Sequence, residues 1–162
     1  MQIPIRYLPS YLSNNDKTRQ INAIKKSRKL YKKHTYYKRP SVASFKNTHS
    51  KHIQKAKQIY GVEKIVPSLE LVNATGCSMK ALQKIVNKGE GAYYSSGSRP
   101  NQTAQSWGFA RLASSITAGK SASIDYDILE KGCNHQKRAF KLANQSRKRY
   151  KMGHSHTKRI NI

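Results

Sequence analysis

Acidic residues are scarce in this sequence. Of its 162 residues, 7 are Asp or Glu and 32 are Lys or Arg, so the formal net charge at pH 7 is +25. The few carboxylates are scattered, which argues against a carboxylate pair for acid–base catalysis and against a two-metal nuclease centre. Asp125 and Asp127 stand two positions apart in a predicted helix and do not share a face. We therefore predict that the protein is not an enzyme.

Cysteines and long apolar runs are also scarce. The sequence holds two cysteines, Cys77 and Cys133, and two widely spaced thiols do not make a disulfide framework, which favours a reducing compartment. Cys77 has no compelling local partner, so we expect a buried small hydrophobe there. No run approaches about 18 apolar residues and the N-terminal segment has no cleavage site, so we expect neither a transmembrane helix nor a secretory signal.

The patterns that would bind a metal or a nucleotide are incomplete. Histidine pairs such as His49/His52 and His154/His156 lack the paired four-ligand spacing of a structural zinc site. The segment Ala118-Gly-Lys-Ser121 resembles the end of a phosphate-binding loop, but Ser114 stands where the pattern needs glycine, and a predicted helix precedes it. We therefore predict no metal, no cofactor and no small-molecule substrate.

Positive charge is abundant, and it is unevenly distributed. Residues 1–62 carry a net charge of +14, residues 63–132 of +2 and residues 133–162 of +9. This predicts a basic N-terminal arm with helices, a near-neutral helical core with a Gly/Ser/Tyr-rich loop, and a basic C-terminal helix and tail. Such a surplus repels itself and needs a negative partner. Nucleic acid is the commonest one, because each neutralised phosphate releases a condensed counterion.

The apolar periodicity predicts an all-α fold, with a small multi-helix core and basic helical or extended N- and C-terminal arms. Ser13 and Ser78 are predicted N-caps, and Gly89 and Gly119 are predicted to follow helix ends. No segment alternates with period two over several residues, so no sheet is required. The tail from Lys151 is expected to be flexible unless a partner orders it. We expect helices over about 16–34, 50–60, 79–88, 103–118, 124–131 and 136–150.

Six cations fall within the nine residues 25–33, with no acid between them. This favours a phosphate-contacting face over a merely solvated one. Tyr31, Tyr36 and Tyr37 offer rings for stacking and hydroxyls for hydrogen bonds beside this run. The residues that we predict to bind a polyanion are Lys25, Lys26, Arg28, Lys29, Lys32, Lys33, Lys137, Arg138, Arg147, Lys148 and Arg149.

Residues 93–103 concentrate hydroxyls, amides, an arginine and a glycine before a predicted helix start. Backbone N–H groups and an arginine in such a loop can hold an anion. The alternative is a structural loop, whose Ser and Asn cap helices while Tyr93, Tyr94 and Trp107 fill the core. Both interpretations stay open at this point. The candidate anion-binding residues are Tyr93, Tyr94, Ser96, Ser98, Arg99, Asn101 and Lys120.

Three segments carry a resemblance to a known family: the run from Cys77 to Pro100, the segment Ser106-Trp-Gly-Phe-Ala-Arg-Leu-Ala-Ser, and Ala118-Gly-Lys-Ser-Ala with Asp125. They resemble an uncharacterised family of small basic proteins from large double-stranded DNA viruses of algae and protists, with distant relatives in tailed phages. The resemblance covers residues 60–133 strongly and the basic N-terminal arm loosely. Many relatives have a glycine where this chain has Ala118. The resemblance implies a viral origin and no particular chemistry.

In a viral setting the resemblance implies a virion component, present in the host cytoplasm or nucleus during assembly. The leading hypothesis is a non-enzymatic, virion-associated protein that binds a polyanion, most simply packaged DNA, without sequence specificity. The first alternative is a minor capsid protein whose basic arms cement the major capsid lattice by binding acidic capsid proteins. Composition alone also fits a ribosomal-type RNA binder. A nucleic-acid-processing enzyme would have to use Tyr93, Arg99 and Lys120.

Overall fold

The computed structural model describes residues 1–151 and 157–162. The protein is 59% helical, and eight α-helices and one two-stranded sheet form in the described residues, so the all-α prediction is confirmed. A single turn of 3-10 helix, Ile5–Tyr7, follows the first strand. The elements are β1 Gln2–Pro4, α1 Asn14–Tyr31, α2 Lys51–Tyr60, α3 Leu69–Thr75, α4 Met79–Ser95, α5 Ala104–Ser115, α6 Lys120–Ile124, α7 Tyr126–Gly132, α8 Arg138–Tyr150 and β2 Arg159–Asn161.

The chain forms two compact units that interleave along the sequence. Unit 1 comprises Met1–Thr48, Glu90–Trp107 and the described residues 157–162, and unit 2 comprises His49–Gly89 and the described residues 108–151. Helices α4 and α5 each contribute residues to both units. The boundaries of these two units do not coincide with those of the three charge segments. The net charge of a segment reflects its composition and not the contacts that it makes in the fold.

Serine side chains form the N-caps of several helices. The Ser13 hydroxyl accepts a hydrogen bond from the Asp16 N–H at 3.2 Å, and Ser50 and Ser78 cap α2 and α4 in the same way. Each cap satisfies an N–H group that has no partner inside its helix. The predicted starts of these three helices are therefore correct to within two residues. The short helix α3, capped by Ser68, was not predicted.

Helix α4 continues through Gly89, so the prediction that Gly89 follows its end is wrong. A Cβ atom on Gly89 would lie 2.6 Å from the Cα atom of Gly108 on α5. The glycine therefore permits a close helix–helix approach within unit 2, where any side chain would collide. A glycine that ends a helix and one that packs against a neighbour look the same in sequence. The Gly/Ser/Tyr-rich link is accordingly shorter than predicted, and it occupies residues 96–103.

The two chain ends meet in a small antiparallel sheet. Ile3 pairs with Ile160, and Gln2 and Pro4 pair with Asn161 and Arg159. Ile3 is fully buried in the unit 1 core beside Tyr7 and Ile24. The expectation that no sheet is required and that the tail is flexible therefore fails for residues 159–161, because three-residue strands are too short to show an alternating pattern. Residues 152–156 of the predicted tail, with His154 and His156, lie outside the described residues.

Cys77 and Cys133 form a disulfide, with their sulfur atoms 2.08 Å apart. They face each other across an isolated antiparallel bridge, flanked by hydrogen bonds from Ser78 N–H to the Gly132 carbonyl and from Asn134 N–H to the Gly76 carbonyl, both 2.8 Å. Cys77 is buried as predicted, but the expectation that it lacks a partner is wrong. The bridge depends on contacts between residues 56 positions apart, which local sequence does not reveal.

The apolar core of unit 2 lies between helices. Leu82 and Ile85 of α4, Leu112 of α5 and Leu129 of α7 are completely buried together. Ile116, which follows α5, completes this group. No helix in the described part of the chain combines the length and hydrophobicity needed to span a membrane.

The substitution Gly89→Ala is expected to destabilise the protein by about 1–3 kcal/mol, because its Cβ would overlap Gly108. The matched control is Gly91→Ala in the same helix, where a Cβ would lie 3.7 Å from the Tyr31 hydroxyl, an ordinary contact. This control should stabilise α4 by up to about 1 kcal/mol. Urea unfolding followed by circular dichroism measures both. Equal effects of the two substitutions would contradict the close approach at Gly89.

Candidate nucleic-acid interface

Each unit retains a large positive charge. Unit 1 holds 15 lysines and arginines against two acids, Asp16 and Glu90, and unit 2 holds 17 against five acids. The net charges are therefore +13 and +12. Neither unit neutralises its own cations, so each carries a large uncompensated positive charge.

Five exposed lysines, here called the α1 lysine face, lie on the solvent side of α1 and on the two residues that follow its end: Lys25, Lys26, Lys29, Lys32 and Lys33. Lys25, Lys29 and Lys32 follow the i, i+4, i+7 spacing of a single stripe. Ala23, Ile24 and Ser27 on the other side are buried. Within residues 1–151 and 157–162, none of the five lysines forms an ion pair. The face is therefore an uncompensated cationic surface.

Arg28 differs from the lysines around it. Its Nε and NH2 groups donate hydrogen bonds to the Ser96 carbonyl, at 3.0 and 2.6 Å. Partial burial lowers the pKa of its guanidinium. Arg28 thus anchors the loop that follows α4, and less of it is available to a phosphate than the sequence suggested.

The predicted C-terminal cations lie on and beside α8. Lys137, Arg138, Arg147, Lys148 and Arg149 are all exposed. The opposite side of α8 is buried through small residues such as Ala139, Ala143 and Ser146. The guanidinium of Arg147 lies 4.2 Å from the centre of the Tyr126 ring, which holds this cation in place at the surface of unit 2.

A buried arginine organises the loop of unit 1. Arg39 is 7% exposed, and its NH1 group donates to the Tyr93 carbonyl at 2.6 Å and to the Ser27 hydroxyl at 3.0 Å. Its NH2 group donates to the Ser98 hydroxyl at 2.7 Å, and its Cζ atom lies 3.7 Å from the centre of the Tyr93 ring. No carboxylate pairs with it in the described chain. Burial lowers the pKa of Arg39, and neutral acceptors and the tyrosine ring take the place of a counterion.

The predicted anion loop therefore binds cations of its own chain. The oxygen atoms of Tyr93, Ser96 and Ser98 accept hydrogen bonds from Arg39 or Arg28. These three residues bind guanidinium groups of the same chain, in keeping with the structural loop that the sequence left open as the alternative, and the binding of an external anion stays a prediction. Nothing in the sequence distinguishes Arg39 from its neighbour Lys38, so this network was missed.

The other candidate residues of the loop have different surroundings. Asn101 fixes the backbone of Val42, accepting from its N–H at 2.7 Å and donating to its carbonyl at 3.1 Å. The ring of Tyr94 stacks on that of Tyr31. Arg99 is exposed at the surface of unit 1. Lys120 begins α6 in unit 2.

Asp125 is the centre of a buried ion cluster in unit 2. Arg111 binds its carboxylate through two hydrogen bonds of 2.9 and 2.7 Å. Lys88 Nζ lies 3.0 Å from Oδ1, and the Ser115 hydroxyl donates to Oδ2 at 2.9 Å. Burial raises the pKa of Asp125, but Arg111 and Lys88 outweigh it, and the net pKa lies below the usual value. From the sequence, Asp125 was only one acid of a predicted helix; the structure shows it as an internal counterion.

The networks around Arg39 and Asp125 lie within the part of the chain that a family model matches. A model of a family of unknown function (DUF5824) matches residues 4–135. The chain belongs to the DUF5824 family. No curated protein and no solved structure matches it. The DUF5824 match includes α1, the loop around Arg39 and the Asp125 cluster, and it ends before α8. No group of three His, Cys, Asp or Glu side chains in the described residues is placed to hold a metal ion.

Replacing Arg39 with lysine should destabilise the protein by about 3 kcal/mol, because a lysine cannot reach all three acceptors and leaves buried oxygens unsatisfied. The matched control is the reverse exchange at the neighbouring exposed position, Lys38→Arg, which should change stability by less than about 0.5 kcal/mol. Thermal and urea unfolding measure both variants. A harmless Arg39→Lys substitution would show that the network is not needed for folding.

Asp125 should make folding sensitive to acid. Because its pKa is lower in the folded state than the ordinary value of 3.8, its contribution is complete above about pH 5 and is lost as the pH falls through the folded pKa. Asp125→Asn should cost about 3 kcal/mol or more at pH 7, and less as the pH approaches about 3. Urea unfolding across this pH range tests it. The control Asp127→Asn, at an exposed position, should leave the pH profile unchanged.

Proposed function

We propose that this protein is a non-enzymatic, nucleic-acid-binding protein that holds duplex DNA through its cationic helices without reading the sequence. The observation that carries the proposal is the α1 lysine face, which is exposed and has no ion-pair partner in the described chain. Duplex DNA carries about one negative charge per 1.7 Å of its axis, and binding releases its condensed counterions. A stripe of lysines that form no ion pair in the described chain, on α1 and just past its end, fits such a partner.

The chemistry of the cations favours backbone binding over base recognition. Specific readout in the major groove commonly uses arginine, which bonds to guanine through two parallel hydrogen bonds. Here the deeper arginines are engaged inside the fold, Arg39 and Arg28 with the loop and Arg111 with Asp125. The exposed α1 face consists of lysines, which act as point charges toward phosphates. Binding should therefore be electrostatic and indifferent to sequence.

The proposed enzyme alternative has less support from the geometry. Its key loop residue, Tyr93, is buried and holds Arg39 through its ring and its carbonyl. This gives a structural reason for a tyrosine at that position. Lys120, the proposed phosphate-binding lysine of this alternative, belongs to the other compact unit.

The proposed setting is the virion, with packaged DNA as the partner, and this part rests on the sequence resemblance to proteins of large DNA viruses. A cementing role between acidic capsid proteins is the competing assignment for the same cations. Fractionation of disrupted virions separates the two. Release with the DNA core supports the proposal, and retention in an emptied shell supports the capsid role.

Removal of four charges from the α1 face is the direct test. The variant Lys25→Gln, Lys29→Gln, Lys32→Gln and Lys33→Gln should bind a fluorescent duplex more weakly. The slope of log affinity against log salt concentration should shrink by about 3 to 4, since each lost phosphate contact removes about 0.9. Fluorescence anisotropy titrations at several salt concentrations measure this slope.

The control variant removes the same charge from exposed lysines of the near-neutral segment 63–132. It carries Lys64→Gln, Lys80→Gln, Lys84→Gln and Lys131→Gln, and its slope should change by less than about 1. Equal losses in the two variants would mean that only net charge matters and would reject a specific α1 surface. Absence of salt-dependent duplex binding by the parent protein would reject the proposed function itself.

A further inference from the structure

Unit 1 carries an open pocket of about 320 Å³ whose charged lining is entirely cationic. Arg6, Lys46 and Arg99 contribute the positive charges, and no acid is among the described residues that line it. Arg99 was a candidate anion-binding residue of the loop. The structure places it beside two cations that lie more than 50 positions away in sequence. Three cations around one concave surface create a strong local attraction for an anion.

The same pocket contains an aromatic platform. The rings of Tyr11 and Phe45 lie nearly parallel, 17° apart, with their centres separated by 6.3 Å. Tyr11 is 50% exposed, and the Nζ atom of Lys46 lies 5.7 Å from the centre of its ring. An exposed ring beside a cation contributes little to a folded core. It does offer a flat surface on which another planar group can stack.

The aromatic rings of this pocket suit the base of a nucleotide, and its cations suit the phosphate. A base stacks on aromatic side chains, and its phosphate interacts with nearby arginines and lysines. The volume lies at the small end of ligand pockets, which suits one nucleotide. Bases in a duplex are already stacked on one another, so such a platform is accessible only to an unpaired base.

We propose that this pocket binds an unpaired nucleotide of single-stranded nucleic acid, with the base on Tyr11 and Phe45 and the phosphate against Arg6, Lys46 and Arg99. The proposal rests on the nucleic-acid function inferred above and extends it. The α1 lysine face holds the backbone of any strand, and the pocket adds a preference for unpaired segments.

The test compares a fluorescein-labelled oligothymidylate with a labelled duplex of the same length in anisotropy titrations of the full chain. Tyr11→Ala should weaken binding of the single strand by about tenfold, the size expected for one lost base-stacking contact, and leave duplex affinity unchanged. Tyr11→Phe keeps the ring and should restore single-strand affinity. This conservative variant excludes a folding defect at position 11 as the cause.

The control is Leu69→Ala, which removes an apolar side chain of unit 2 that is 73% exposed at the start of α3 and is not among the residues that line the pocket. Its single-strand affinity should match that of the parent. In addition, Arg99→Ala and Lys46→Ala should each lower the salt slope for the single strand by about 0.7.

The single-strand and duplex titrations distinguish a failure of this proposal from a failure of the proposed function. Normal duplex binding with no effect of Tyr11→Ala on the single strand overturns the pocket and leaves the α1 face intact. An equal loss in Leu69→Ala overturns it as well, since the loss would then not depend on the ring of Tyr11. Single-strand binding that depends on Tyr11 without any duplex binding supports the pocket and rejects the duplex proposal.

Discussion

Arg39 is a buried cation without a carboxylate partner among the described residues, and the loop of unit 1 is built around it. Its guanidinium is surrounded by the carbonyl oxygen and the ring face of Tyr93 and by the hydroxyl groups of Ser98 and Ser27. Removing such a group would leave several buried acceptors unsatisfied at once. The loop conformation that exposes Arg99 and fixes Asn101 on Val42 therefore depends on a charge that is almost completely buried.

Two acidic side chains, Asp125 and Asp16, form the ion pairs of the described chain. Asp125 is enclosed by Arg111 and Lys88, and Asp16 accepts from Ser44 and pairs with Arg19. Hydrogen bonds and the Arg19 charge lower the pKa of Asp16 against the opposing effect of desolvation. These pairs stabilise particular contacts but cannot neutralise surpluses of +13 and +12 in the two units. Interior electrostatics and surface electrostatics are thus separate: arginines stabilise the interior, and the lysines of the α1 face remain exposed to solvent.

Local sequence signals predicted what depends on neighbours along the chain. Ser13, Ser50 and Ser78 mark helix starts because an N-cap needs only a side-chain oxygen and the next turn. Gly89 was misinterpreted because its reason lies in another helix, at Gly108. The strand pair at the chain ends and the Cys77–Cys133 bridge were missed for the same reason, since each joins segments far apart in sequence.

Composition and periodicity by themselves determined the all-α class, the placement of most helices and the excess of positive charge, because these properties follow from residue type and from spacing within one turn. Only the tertiary structure decided which cations serve the interior and which face solvent. It buried Arg39, attached Arg28 to Ser96 and brought Arg6, Lys46 and Arg99 into the lining of one pocket with Tyr11. A one-dimensional pattern cannot separate these roles, because each depends on which distant oxygen, ring or charge the folded chain brings within a few ångströms.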